Sequence, residues 1–274
     1  MTKTSILLSA LTLATSLVAF ESTASAATLS VCASGCSYTD AQTAINAAGW
    51  GDTIALGAGT YTGQLVVGSG KYVVLDGNDA ATLDANGGVS ALSVTGGGAA
   101  VLRDLEVTGT ALQAGIINQG TLTLEGIQMV DVSAQYGGLL NYTSLVVAAD
   151  SVFSGNESTT VMAGGINNIG TADITNTTFL SNEGHNGGAV ANFGDMYIDA
   201  SSFSANSAYL GGALHNSRGS LVIEDSSFST NFAISLGGGW SNHNCGGTVS
   251  TSNVSYASNS TGSGQFLDFY DAGC

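Results

Sequence analysis

Residues 179–206 read FLSNEGHNGGAVANFGDMYIDASSFSAN. The stretch opens on Phe179-Leu180-Ser181-Asn182, passes through Gly187-Gly188-Ala189-Val190 and Asn192, and alternates at Met196 and Ile198. It then begins again at Phe203-Ser204-Ala205-Asn206. The same F-x-x-N motif stands at Phe153–Asn156 and Phe228–Asn231, with Tyr256–Asn259 as a fifth copy. The aromatic positions are 26, 24, 25 and 28 residues apart. Glycine pairs recur between them at Gly164-Gly165, Gly211-Gly212 and Gly237-Gly238. An asparagine follows each pair, giving Asn168, Asn192, Asn216 and Asn242, and Asn118 and Asn141 extend that series upstream. Self-similarity at a fixed period of this length means a solenoid or a propeller.

The fine periodicity decides between them. Leu122 and Leu124, Ala172 and Ile174, Met196 and Ile198, and Leu221 and Ile223 are pairs two residues apart. That spacing puts both members on one face of a strand. The repeat is too short for a propeller blade, and it carries no helical spacing. Three short strands per turn, joined at Gly and Asn corners that tolerate positive φ, account for its length. The chain is therefore read as all-β: a single-stranded, right-handed parallel β-helix (solenoid) of about nine coils with a short N-terminal capping helix. The aromatic column, continued upstream by Met129 and Val107, should fill the interior. The asparagines should form a ladder, each amide bonded to the coils above and below. Asp104, Asp150, Asn176, Asp225 and Asn253, three residues before each aromatic-column residue, should occupy turns.

The two ends read differently. Lys3, the apolar run Ile6–Phe20 and Ala24-Ser25-Ala26 have the form of a signal peptide over residues 1–26, the run being short for a spanning helix. Residues 27–51 are read as a cap. Its helix starts from a capping box at Thr39-Asp40-Ala41-Gln42 and runs over Ala41–Ala48, and Asp52 begins the first strand. The β-helix spans 52–262 and a C-terminal cap 263–274; at about 4.8 Å per coil the rod is about 40 Å long. Export favours disulfides, so Cys32 pairs with Cys36, and Cys245 with Cys274 ties back the far end. Four cysteines allow two other connectivities, and a zinc site would have to unite opposite ends of the rod.

Composition excludes some partners. With 20 acidic residues against 4 Lys and Arg, the net charge is −16, so nucleic acid and anionic membranes are not expected partners. Apolar residues make up 44% of the chain, enough for a folded core. No transmembrane segment is expected in the mature chain, which should be secreted or held at the cell surface.

The paired motifs F-x-x-N and G-G-A-[ILV], over residues 137–242, closely resemble the repeats of polymorphic outer-membrane proteins, the passenger regions of certain bacterial surface adhesins. The stretches Ser37–Gln42, Gly51–Ile54 and Gly59–Tyr61 are similar to the N-terminal end of the pectate-lyase-like β-helix superfamily. The first resemblance implies a non-enzymatic, adhesin-like or structural protein that meets a polysaccharide or another surface partner. The second implies the fold, and through it a polysaccharide lyase or glycoside hydrolase as the alternative. Adhesins of this kind usually carry a C-terminal membrane β-barrel, for which the chain leaves no room before Cys274, so self-transport is not expected.

The residues for lyase chemistry are sparse. Outside the signal segment the only arginines are Arg103 and Arg218, and the chain has no proline. Asp199 and Glu224, each four residues before an aromatic, are the candidate catalytic pair. They should stack on the outer face of adjacent coils, in a column with Arg103, Glu125, Ala149 and Thr175. Carboxylates one strand spacing apart suit either a retaining glycosidase or a surface Ca²⁺, the one cofactor considered. His185, His215 and His243 lack zinc spacing, and His215 and His243 should point differently. Trp240 and Tyr209 are read as core or corner packing, with a sugar-stacking platform as the alternative. Asn-x-Ser/Thr sequons stand at Asn141, Asn156, Asn176, Asn253 and Asn259.

Overall fold

In the computed structural model, which describes residues 25–148, 150–243, 247–262 and 268–271, the chain winds as a parallel β-solenoid of about nine turns. One turn illustrates all of them. Thr171–Thr175 lies in sheet A, Thr177–Leu180 in sheet B and Val190–Asn192 in sheet C, and Asp195–Asp199 returns to sheet A. Among the described residues sheet A has ten strands, from Thr28–Val31 to Val249–Ser252, and sheets B and C have nine each. Each strand of sheet A pairs in parallel with the strand one turn away.

The interior follows the alternation in the sequence. Leu122, Leu124, Ile174, Met196, Ile198, Leu221 and Ile223 are all buried. Val107, Met129, Phe153, Phe179, Phe203 and Phe228 form one fully buried column. Its rings stack at 5.1, 4.7 and 4.6 Å between centroids, and Tyr256 extends the stack at 5.8 Å. Such contacts add about 0.5–1.5 kcal/mol per pair to the burial itself.

Two asparagine ladders run through this core, where one was expected. The expected ladder is continuous. Asn118, Asn141, Asn168, Asn192 and Asn216 each donate through Nδ2 to the next Oδ1, at 2.7–2.8 Å, as far as Asn242. The second is built from the asparagines of the F-x-x-N motif. Asn156, Asn182, Asn206 and Asn231 hand their Nδ2 protons on to Asn259 at 2.9–3.0 Å. Each Oδ1 also accepts from the backbone N–H of the preceding asparagine. Both ladders end on carboxylates, Asn242 on Asp271 and Asn259 on Asp268. A carboxylate accepts but cannot donate, so neither chain of amides can continue past it.

The corners explain how an asparagine comes to point inward. Asp104, Asp150, Asn176, Asp225 and Asn253 have φ between 43° and 59°, as expected, and Ala200 occupies the same turn at 47°. A second left-handed corner lies one residue before each ladder asparagine, at Gly155, Ser181, Ala205, Thr230 and Ser258. A side chain in this conformation costs about 1 kcal/mol, and the amide bonds that follow offset it.

Sheet C is buried on both faces. Leu139–Asn141, Ile166–Asn168 and Val190–Asn192 have no exposed residue, because the turn before each strand folds over its outer side. Asn167 fixes one such turn, donating to Tyr136 O and Ala163 O while accepting from Ala163 N.

At the N-terminal end three details differ from the sequence reading. Sheet A begins with Thr28–Val31, one strand before Asp52. The helix covers Ala41–Ala47, and its N-cap is Asp40, which accepts from Thr43 N at 2.7 Å; Thr39 and Gln42 do not form the expected box. Gln42 serves the sheet instead. Its side-chain amide accepts from Val66 N at 2.7 Å and donates to Val66 O at 3.0 Å, pairing the outer edge of Leu65–Val67. Neutralising edge groups in this way is one remedy for an open sheet. The Cys32–Cys36 disulfide is present. Cys245 and Cys274, like most of the signal segment, lie outside the described residues.

Candidate functional site

Outward-facing residues of sheet A line up in columns because the strands keep register. One column runs Asp76, Arg103, Glu125 and Ala148. Ala148 is the register partner of Glu125, and Ala149, expected in this column, lies outside the described residues. Farther along, Thr175, Asp199, Glu224 and Ser252 are successive partners. Asp199 and Glu224 are thus adjacent, as expected, and both are half-buried. The only ion pair among the described residues lies elsewhere in this column, where Arg103 reaches Glu125 at 2.7 Å. Both partners are about 40% exposed, and such a pair contributes at most about 1 kcal/mol.

The residue that organises this face is Tyr197, which lies between the inward Met196 and Ile198. Its hydroxyl donates to Glu224 Oε2 at 2.9 Å. That bond, then desolvation and the negative charges of Asp199, Glu224 and Asp173, push the phenol up to about 12. Tyr197 therefore stays a neutral donor at any ordinary pH. Beside it a shallow groove of about 340 Å³ crosses four adjacent strands. Val146, Tyr197 and Val222 form its apolar part, and Ser144, Thr171, Asp173, Asp195 and Ser220 its polar lining. Asp173 and Tyr197 are partners in register, as are Tyr197 and Val222. Asp195 is held by accepting from Ser220 N at 3.0 Å.

Glu224 is thus engaged by Tyr197, and Asp199, its partner in register, lies outside the groove lining. Among the described residues no three His, Cys, Asp or Glu side chains converge on one point fit for a metal ion. Asp199 and Glu224 would therefore bring two protein ligands to a calcium ion, fewer than that hard cation usually takes from a protein site.

The histidines gather in the layer outside sheet C. His215 and Ser241 are partners in register, and His215 Nδ1 lies 2.8 Å from Ser241 Oγ. The rings of His215 and His243 are 5.2 Å apart, so these two side chains meet rather than diverge. Burial pushes the His215 imidazole down to about 4, and His243 and His185 repel its charged form further. His185 stacks flat on Tyr209 with centroids 4.9 Å apart.

Trp240 and Tyr209 do not form a platform. Trp240 is buried, donates from Nε1 to Tyr256 Oη at 2.8 Å and stacks on Phe269 at 4.0 Å, whereas Tyr209 is exposed beside His185. Of the five sequons, Asn141, Asn156 and Asn259 are buried ladder residues, and only Asn176 and Asn253 face outward.

Tyr197, Asp173, Asp195, Val146 and Val222 were not singled out from the sequence. The signal for them was present: aligning coils on the inward pairs brings the residue between each pair into one outward column. No protein-family model matches the chain, and no curated protein matches it in sequence.

Proposed function

We propose that this chain is a secreted or cell-surface, non-enzymatic β-helix protein, adhesin-like or structural, which binds a glycan along the outer face of sheet A. In this reading the solenoid is right-handed, the sense that parallel crossover connections strongly favour. It belongs with the pectate-lyase-like superfamily and carries repeats of the polymorphic outer-membrane protein type. The observation that carries the reading is the groove at Tyr197, an aromatic ring beside Val146 and Val222 with polar residues around them, crossing successive coils of a ladder-stapled stack. A ring whose hydroxyl is already bonded to Glu224 offers its faces to the apolar side of a pyranose at little entropic cost.

A second reading rests on the adjacency of Asp199 and Glu224. Two carboxylates one strand spacing apart are compatible with a glycoside hydrolase, and a polysaccharide lyase is the other enzyme on such a scaffold. A glycan array run beside lyase and hydrolase assays on acidic and neutral polysaccharides separates the readings. The binding reading expects retention without turnover, lost in Tyr197→Ala and kept in Asp199→Ala, whereas the enzyme reading expects turnover that the Asp199→Ala/Glu224→Ala double variant abolishes. That second result would overturn the binding reading.

A further inference from the structure

The groove has a charge pattern that narrows its ligand. On the three consecutive strands Thr171–Thr175, Asp195–Asp199 and Leu221–Glu224, the outward positions hold Asp173, Asp195, Asp199 and Glu224 and no lysine or arginine. Arg218, in the turn before the last of these strands, is the nearest cation in sequence, and it makes no ion pair among the described residues. The floor is apolar at Val146, Tyr197 and Val222, so a ligand seated there meets an aromatic face between carboxylates. An anionic polymer would be repelled at each of these three coils.

Spacing then selects among cationic polymers. Three of the four strands along the groove present at least one outward carboxylate, and successive coils are about 4.8 Å apart. An extended basic peptide presents like-facing side chains only every ~6.6–6.8 Å, so it falls out of step within two coils. A pyranose advances a linear polysaccharide by close to one strand spacing, and an amino sugar brings one ammonium per ring. Its flat apolar face can rest on Tyr197 while the ammonium groups meet the groove carboxylates Asp173 and Asp195. A cation near the ring face gains further from the aromatic quadrupole.

We propose that the groove over Val146, Tyr197 and Val222 takes a polycationic amino-sugar chain lying along the solenoid axis. This rests on the reading of that face as a glycan-binding surface. The test is calorimetric titration of the full mature chain with three probes: a β-1,4-linked glucosamine hexamer, its fully N-acetylated counterpart, and hexalysine. The titrations are run at mildly acidic pH, where amines and carboxylates are both charged. The glucosamine hexamer should bind best, weaken with salt, and lose roughly tenfold or more in Tyr197→Ala and in Asp173→Asn/Asp195→Asn. Tyr197→Phe, which keeps the ring, should bind nearly as wild type. All these side chains face outward, and unchanged circular dichroism and melting confirm that each variant is folded. If the N-acetylated hexamer binds equally well and still depends on Tyr197, the glycan face stands and the polycation assignment falls. Equal binding of hexalysine with no effect of Tyr197→Ala reduces the interaction to general attraction by an acidic surface and overturns the proposal. Binding of none of the probes at this face overturns the amino-sugar proposal, while the glycan reading falls only if the glycan array also shows no binding that depends on Tyr197.

Discussion

The second asparagine ladder should be worth more than any surface feature of this protein, and Asn206→Ala measures it. The Asn206 side chain takes part in four hydrogen bonds. Nδ2 donates to Phe179 O and Asn231 Oδ1, both at 3.0 Å, while Oδ1 accepts from Asn182 N at 2.9 Å and Asn182 Nδ2 at 3.0 Å. Asn206 is fully buried, so no bulk water replaces these partners. At about 1 kcal/mol per bond the direct loss is about 4 kcal/mol. The Asn182 backbone N–H is then left buried and unpaired, which alone costs about 1–3 kcal/mol, while Phe179 O keeps its place in the strand ladder. In a quasi-one-dimensional stack the loss falls on the interfaces with the neighbouring coils. The assay is urea unfolding followed by far-ultraviolet circular dichroism, with amide exchange at Asn182 as a local readout. Ser204→Ala, an outward position on the adjoining strand, is the control and should cost no more than about 0.5 kcal/mol. Asn206→Asp retains the acceptors but brings a negative charge against Phe179 O and Asn231 Oδ1, so it should also destabilise strongly. An Asn206→Ala cost below about 1 kcal/mol, or no faster exchange at Asn182, would refute the argument that the ladder holds the coils together.

Other outcomes follow from the same packing and electrostatics. Phe203→Ala removes the middle ring of the buried stack and should cost about 3–5 kcal/mol in chemical unfolding, whereas Phe203→Leu, which fills most of the space, should cost much less; equal costs would mean that the ring contacts and not the filled volume dominate. His215 has a folded pKa of about 4, below the ordinary histidine value. As pH falls from about 6.5 towards 4 the unfolded chain takes up a proton that the folded one refuses, so stability is lost by up to about 3 kcal/mol. Unfolding midpoints across that window should flatten in His215→Asn, and an unchanged slope would show that the imidazole is not held neutral by burial. Reduction of Cys32–Cys36 opens a loop of only a few residues, so it should cost about 2 kcal/mol. The loss should be confined to Thr28–Val31 and its neighbours, and hydrogen exchange that spread to the central coils would contradict this.

How much of this was legible beforehand differs by position. Phe153 to Phe228 and the pairs such as Met196 and Ile198 recur because each coil must exclude water from the same interior, so identity and period reveal them together. Asn118 to Asn242 were recognisable for a related reason: a buried amide repeated every coil has only the next amide to bond. The asparagines of F-x-x-N were equally visible as a motif. Their inward direction, however, depends on the left-handed corner before them, at residues as unremarkable in sequence as Ala205 and Thr230. Trp240 is buried, as the packing reading had it, but the alternative stayed open because an aromatic near a glycine pair reads alike whether it turns outward or stacks on Phe269. Cap details such as Gln42 pairing Val66 depend on how a helix settles against a strand edge.

What the amino-acid sequence determined by itself was the solenoid and the contents of its interior, since burial restricts each inward position to a few side chains and repeats the restriction every coil. Only the tertiary structure decided which outward residues become neighbours. Tyr197, Asp173 and Val222 are about 25 residues apart along the chain, and nothing local links them. Their adjacency is set by the register of parallel strands, which the ladders and the coil lengths enforce. Because water tolerates almost any outward side chain, that face leaves little periodic trace in the sequence, and its groove exists only once the coils are stacked.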